Sequence, residues 1–372
     1  MPGTDLLQQA GGGAFTDLRV PDFDTIDPEI KPMSVDQANF GIEAEVMPQT
    51  VLSARFVHSK LNRTIEDLGN VLPDGSFGYF YGNPGEGTNI YAAPAGPTCT
   101  ITVQGTCADY MPKAIRQYDA FQVELTRRFS RGFLFDASYV YSRLYGNYGG
   151  LQSTDEIRLS DTGRGYGNNQ VLGAAAYRGG SNANVAWDLD WEFYDAHGNN
   201  GLYGRLPTDR PHAFKLAGAY EFKFGTQVGL FFWATSGTPV STQLNSNYYY
   251  QFWPNGRGDM GRTPTFSRTD LLIAHEFKFG EVKKLRLEFN ATNLFSQRIS
   301  QYTWNNYNYQ DIGFFSPSNI ELFDKDLDKG FAWQSIAKNT SEAQGIALDP
   351  RYGHAAEFTP GFEGRFGIKF IF

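Results

Sequence analysis

Hydrophobic and polar residues alternate with period two along much of the chain, in segments of about ten residues each. Phe40, Ile42, Ala44 and Val46 interleave with Gly41, Glu43, Glu45 and Met47, and Leu52, Ala54 and Phe56 with Ser53 and Arg55. Phe121, Val123 and Leu125 stand against Gln122, Glu124 and Thr126. Phe133, Phe135, Ala137, Tyr139 and Tyr141 stand against Asp136, Ser138 and Ser142. In a fifth segment Phe214, Leu216, Gly218, Tyr220, Phe222 and Phe224 oppose Lys215, Ala217, Ala219, Glu221 and Lys223; a sixth, 228–234, is apolar on both sides. Leu271, Ile273, Phe277 and Phe279 then oppose Asp270, Ala274, Glu276 and Lys278, and Leu285, Leu287, Phe289 and Ala291 oppose Arg286, Glu288, Asn290 and Thr292. The last segment sets Phe362, Phe366, Ile368, Phe370 and Phe372 against Glu363, Arg365 and Lys369. Successive side chains of a strand point to opposite faces, so the pattern predicts nine two-faced β-strands.

The connections alternate in length. Short turns are predicted near 48–49, 130–132, 225 and 280–284, and long loops over about 62–112, 148–210, 244–265 and 296–358. In an antiparallel up-and-down array this places every short turn at one end and every long loop at the other. A transmembrane β-barrel has that form, with short periplasmic and long extracellular connections. The competing fold, a secreted β-sandwich, has strands of about 5–6 residues and turns every 8–12. Segments of ten or more residues match instead the 9–11 needed to cross a bilayer obliquely. Mid-strand charges (Glu124, Asp136, Glu221, Asp270, Arg286, Glu288) all lie on one face. That sorting fits a wet lumen and a lipid exterior, because a lipid-facing Lys or Arg at the midplane costs about 2–4 kcal/mol. Aromatic residues gather toward strand ends, as interfacial girdles do. The fold class is therefore all-β, an antiparallel up-and-down transmembrane barrel.

Composition sharpens this. The 372 residues include 40 acidic and 32 basic side chains, a net charge of −8 with no basic block, which argues against a nucleic-acid partner. Mean hydropathy is −0.41 and the most apolar short run is only residues 229–234, so no helix of this chain crosses a membrane, whereas half-apolar strands escape such averaging. Cys99 and Cys107, eight apart, are too few for a zinc site and read as a local disulfide formed in an oxidising compartment. The N-terminus has no basic and apolar leader. With an odd number of strands, this leads to the expectation that the chain is the C-terminal part of something longer.

Particular residues resemble a known family. Asn290-Ala291-Thr292-Asn293-Leu294-Phe295 resembles the N-x-x-N-L-F motif on the penultimate strand of TonB-dependent outer-membrane receptors. The final strand ending in Phe372 resembles the C-terminal strand that the outer-membrane barrel-assembly machinery reads. Asp209-Arg210-Pro211-His212, Tyr139-Val140-Tyr141-Ser142 and Ser236-Gly237-Thr238-Pro239 are similar to the Oar-like subgroup of that family. The resemblance implies a 22-stranded barrel in outer-membrane lipid, plugged by an N-terminal domain and driven by the inner-membrane TonB complex, which imports scarce solutes. It implies that the nine strands are the last nine. Residues 1–35 would then be an extracellular loop remnant and 36–372 the C-terminal portion of the barrel, with plug and TonB box not seen in this sequence. The alternative is a non-transporting, adhesin-like surface protein using the same loops.

No catalytic constellation is present: the five histidines have no metal-ligand spacing, and no nucleophile elbow or phosphate loop occurs. An enzyme is not expected, nor a cofactor. Asp324, Asp326 and Asp328 resemble the first half of a calcium loop, but glycine falls one place late at Gly330 and the twelfth position is Ser335, so a solvated acidic patch is the expectation. Loop aromatics are the candidate ligand contacts: Trp187 and Trp191 beside Asp188 and Asp190; Tyr248, Tyr249, Tyr250, Phe252 and Trp253; and Tyr302, Trp304, Tyr307 and Tyr309. Such rings stack on sugars or grip peptides, and equally pack among themselves.

Overall fold

The structure is a computed structural model that describes residues 26–71, 77–86, 90–92, 101–103, 106–110, 113–150, 203–245, 251–280, 283–305, 307, 333–343 and 348–372. Nine long strands form one wall: β1 (Ser34–Met47), β2 (Thr50–Arg63), β3 (Arg116–Ser130), β4 (Phe133–Gly146), β5 (His212–Glu221), β6 (Thr226–Thr235), β7 (Phe266–Phe279), β8 (Lys283–Thr292) and β9 (Glu363–Ile371). They pair in chain order, each antiparallel to the next, so all nine expected strands are present. Among the described residues the wall is open, with β1 and β9 as its two edges.

The short turns follow from local backbone chemistry. Arg131 (φ 53°) and Gly132 (φ 86°) are both left-handed, the pairing a two-residue hairpin needs to match strand twist. Gly225 (φ 91°) closes the β5–β6 turn, where its N–H donates to the Phe222 carbonyl at 3.0 Å. That turn takes Phe222 and Phe224 out of the strand to which their alternation assigned them.

At the other end the strands outrun their alternating segments. β1 starts at Ser34 rather than Phe40, β2 continues to Arg63 and β3 starts at Arg116. The hydrogen-bond ladder persists there although the two faces no longer meet different solvents, so the pattern fades before the strand does. The long loops carry structure of their own that period-two reading left as loop. A hairpin pairs Glu66–Val71 with Phe77–Gly82, a small sheet joins Ile90–Ala92, Thr106–Tyr110 and Ile101–Val103, and Ser300–Thr303 pairs Ala355–Phe358. A helix spans Trp333–Ala343. Of the described loop strands, Gly204–Arg205 alone joins the wall, beside β4.

Register turns the alternation into two surfaces. Phe40, Phe56, Phe121, Tyr141 and His212 share one row across five strands, and Ala44, Leu52, Leu125, Ala137, Leu216 and Phe232 another. This apolar face is uncovered: Ile42 is 78% exposed and Phe366 88%. The wall has almost no interior of its own, and its buried positions include the small Ala120, Ala274 and Ala291. Larger buried side chains (Leu206, Gln243, Trp253, Tyr302) sit where the long loops pack over the strand ends.

Candidate functional site

The polar face and the loop layer above it are the two places where the fold collects unused chemistry. On the polar face one register row reads Glu43, Ser53, Glu124, Ser138, Lys215 and Trp233 from β1 to β6, and Arg268 continues it on β7. Arg55 donates from Nε (3.2 Å) and Nη2 (2.6 Å) to Gln122 Oε1. A cavity of about 370 Å³ lies over Glu43, Ser53, Arg55, Gln122 and Glu124. A second, of about 330 Å³, lies over Tyr118, Gln122, Ser138, Ser142, Arg210 and Lys215, so Gln122 borders both. Nearer the short turns, Arg286 on β8 reaches Gln227 (2.9 Å), Glu276 (3.3 Å) and Glu288 (3.2 Å), and Lys284 approaches Glu276 at 3.7 Å. That end of the wall neutralises itself.

The motifs singled out in the sequence converge on the rim where strands give way to long loops. Asn293 ends β8 in a left-handed conformation (φ 51°), which asparagine tolerates better than most residues. Its N–H donates to Asp270 Oδ1 (2.9 Å). Its carboxamide donates to the Gln297 and Pro360 carbonyls (2.8 Å each) and accepts the Gln297 N–H at 3.0 Å. The neighbouring Leu294 N–H reaches the Thr269 carbonyl, Asn290 sits in the ladder opposite Leu272 and Arg365, and Phe295 is exposed. Asp209 is 1% exposed, accepts the Leu144 N–H at 2.8 Å, and pairs with Arg262 and, at 3.6 Å, with Arg205. Gly237 lies so close to Thr263 that a Cβ would stand 1.7 Å from its carbonyl oxygen. The Asp209–Arg262 pair fastens the 147–211 and 236–265 connections to one another, and Asn293 ties both ends of 293–362 to each other and to β7. Backbone bonds between Gln243 and Asn305 and Tyr307 join 236–265 to 293–362. Sequence alone showed the motifs, but not that they form one fastening.

Glu86 fastens the first long loop. Arg63 Nε donates to it at 2.9 Å, with Lys113 and Lys31 at 3.5 and 3.6 Å, and the Arg63 bond leads in holding its carboxyl below the usual range. Burial pushes the Tyr352 phenol up; its hydroxyl bonds Thr242 Oγ1 at 2.7 Å. Three histidines lie on the apolar face, each with a partner: His58 with Asp119 (2.6 Å), His212 with Tyr139 (2.8 Å) and His275 with Thr226 (2.7 Å).

The loop aromatics divide. Trp253 and Tyr302 are buried in the loop layer, with the Tyr302 hydroxyl donating to Asn305 Oδ1 at 2.7 Å, so these two serve packing rather than an open contact surface. Trp304 is half-buried between Tyr302, edge-on at 5.7 Å, and the Arg351 guanidinium at 3.9 Å; Tyr307 packs edge-on to Tyr352. Trp187, Trp191, Tyr248, Tyr249, Tyr250 and Tyr309 lie outside the described residues, as do Cys99 and the run 324–330, so neither the disulfide with Cys107 nor the calcium-like loop is in view. Among the described residues no His, Cys, Asp or Glu cluster is placed to hold a metal ion.

Residues 2–238 match the family described as the outer membrane beta barrel domain. The chain is 30% identical over 302 residues to the TonB-dependent transporter Oar of Myxococcus xanthus, a match covering 77% of this chain and 23% of that protein. Among solved structures it is similar to the siderophore receptor PiuA of Acinetobacter baumannii (12% identity, TM-score 0.39, 74% of this chain and 26% of that one). It is similar also to FpvA of P. aeruginosa (12% identity, TM-score 0.39, 76% and 26%). The chain thus spans about a quarter of the length of these relatives. The resemblance read from the motif residues is borne out by the match to Oar.

Proposed function

Since the chain belongs to the outer membrane beta barrel domain family and resides in the bacterial outer membrane, we propose that it forms a sector of the wall of a TonB-dependent transporter. In this reading the apolar face with Ile42 and Phe366 meets lipid, and the row from Glu43 to Arg268 lines the solute's route. The loops fastened by Asn293 and Asp209 form the extracellular mouth that captures ligand. A plug domain gates the lumen and the TonB complex supplies energy. The barrel-assembly machinery inserts the wall through β9 and Phe372. Residues 36–372 are the barrel portion, and 1–35 belong to the extracellular side. No step requires bond chemistry by this chain. The observation that carries the reading is the sorting of one sheet into an exposed apolar face and a charged face beneath a canopy of long loops.

Gating by a plug makes a specific prediction for a chain in which Cys99 and Cys107 are replaced by alanine and one new cysteine is added. A membrane-impermeant maleimide applied to intact cells should label Tyr203→Cys, which is exposed near the rim, whether or not TonB is functional. Ser138→Cys, on the polar face, should label only in cells with functional TonB. Equal labelling of Ser138→Cys in cells lacking TonB would overturn the gated transporter and leave an open pore or a surface-binding protein.

A further inference from the structure

The polar row is sorted by charge in a way that the transporter reading does not itself require. Its carboxylates, Glu43 and Glu124, stand on β1 and β3, and its first cation, Lys215, stands on β5, with only Ser53 and Ser138 on the strands between. Small hydroxyls separate the charges: Glu124 and Lys215 stand two strands, about 10 Å, from one another and form no ion pair. No carboxylate among the described residues lies within ion-pair distance of Lys215. The two cavities repeat the sorting. Glu43 and Glu124 line one and Lys215 and Arg210 the other. Arg55 borders the first cavity but is held by two bonds to Gln122 Oε1, and Arg210 borders the second with its Nη1 donating to the Ser236 carbonyl at 2.7 Å. At the junction, the Gln122 amide group has spent its oxygen on Arg55, and its Nε2 hydrogens have no partner among the described residues.

We propose that these adjoining cavities form a subsite for a zwitterionic short peptide, its ammonium end at Glu124, its carboxylate end at Lys215, and an inner carbonyl accepting from Gln122 Nε2. An extended chain advances about 3.3–3.6 Å per residue, so a separation of about 10 Å selects roughly three residues. Ser138 on β4 adds a hydroxyl along the way, and Trp233 follows Lys215 in the row. The inference rests on the polar face being the water-filled one, and deepens the transporter reading by naming its solute class.

The test measures binding alone, so a failure of TonB-driven gating leaves it intact. The full chain, purified in detergent micelles with no plug domain present so that the polar face stays open to solute, is titrated with tri-alanine, N-acetyl-tri-alanine and tri-alanine amide, with protein-free micelles as blank and resistance to mild proteolysis confirming the fold of each variant. The expected result is saturable binding of tri-alanine that weakens about tenfold on capping either terminus, the size of a charged hydrogen bond lost. Glu124→Gln should abolish discrimination against the acetylated peptide alone, and Lys215→Gln against the amide alone. Saturable tri-alanine binding indifferent to both caps, or no binding by folded wild-type chain, overturns the proposal. It is overturned too if both variants bind as wild type while their charge changes alter only the retention of a plug domain, which would assign the row to a protein partner.

Discussion

At Asn293 the backbone turns left-handed just where β8 stops, and the side chain occupies the space that the turn encloses. It bridges the residues that follow it to Pro360, three residues before β9, while its own N–H is held by Asp270 on β7. An alanine there meets the left-handed penalty of about 1–2 kcal/mol and leaves the Gln297 N–H and the two carbonyls to water. Asn293→Ala should therefore destabilise the folded chain by about 2–4 kcal/mol, and Asn293→Gly, which keeps the backbone but not the bonds, by about half as much. Urea unfolding in detergent micelles measures both; equal losses would show that the backbone conformation contributes nothing. The motif was legible in the sequence because its residue types are distinctive. Its role was not, because the partners lie 23 and 67 positions away. The buried Asp209–Arg262 pair was hidden for the same reason, and so was the inward packing of Trp253 and Tyr302, since an aromatic residue in a loop carries no periodicity to say which way it faces.

For whole strands the reverse holds. Period two survives in a strand only while its two faces meet different surroundings, so lipid on one side and water on the other wrote every strand of the wall but β6, apolar on both sides, into the chain. The same rule explains why the strand extensions beyond the alternating segments and the small loop sheets were missed: there both sides are wet or both packed. Neighbouring positions on β5 test the assignment of faces directly. Leu216 lies in the apolar row between Ala137 and Phe232, and Ala217 on the polar face opposite Asp136. Leu216→Arg should cost about 2–4 kcal/mol of insertion stability and sharply lower the yield in the outer membrane. Ala217→Arg should cost less than 1 kcal/mol, because the new guanidinium meets water and the Asp136 carboxylate. Quantitative gels of heat-modifiable folded protein read both outcomes, and a reversed ranking would exchange lumen and lipid.

On the scale of the molecule, the open wall poses the hardest physical requirement. β1 and β9 each offer one row of backbone N–H and C=O groups with no partner among the described residues, and in hydrocarbon each such unsatisfied group costs several kcal/mol. In an alternating array of nine, the first and last strands run in the same direction, so joining them would create a parallel pair, whereas single-chain bacterial barrels close with even numbers of antiparallel strands. Each edge is therefore expected to pair with a further antiparallel strand and not with the other edge, as a wall that is a sector of a larger barrel requires. Cysteines placed singly along β1 at Asn39, Gly41 or Glu43 and along β9 at Arg365, Gly367 or Lys369, with Cys99 and Cys107 replaced, should form no disulfide within one chain under mild oxidation. The amides of residues 39–45 should nonetheless resist hydrogen exchange in membranes, including those pointing away from β2. Efficient β1–β9 cross-linking would mean that the nine strands close on themselves into a narrow parallel-seamed barrel, whose lumen would be too small to hold both a plug and a route past it.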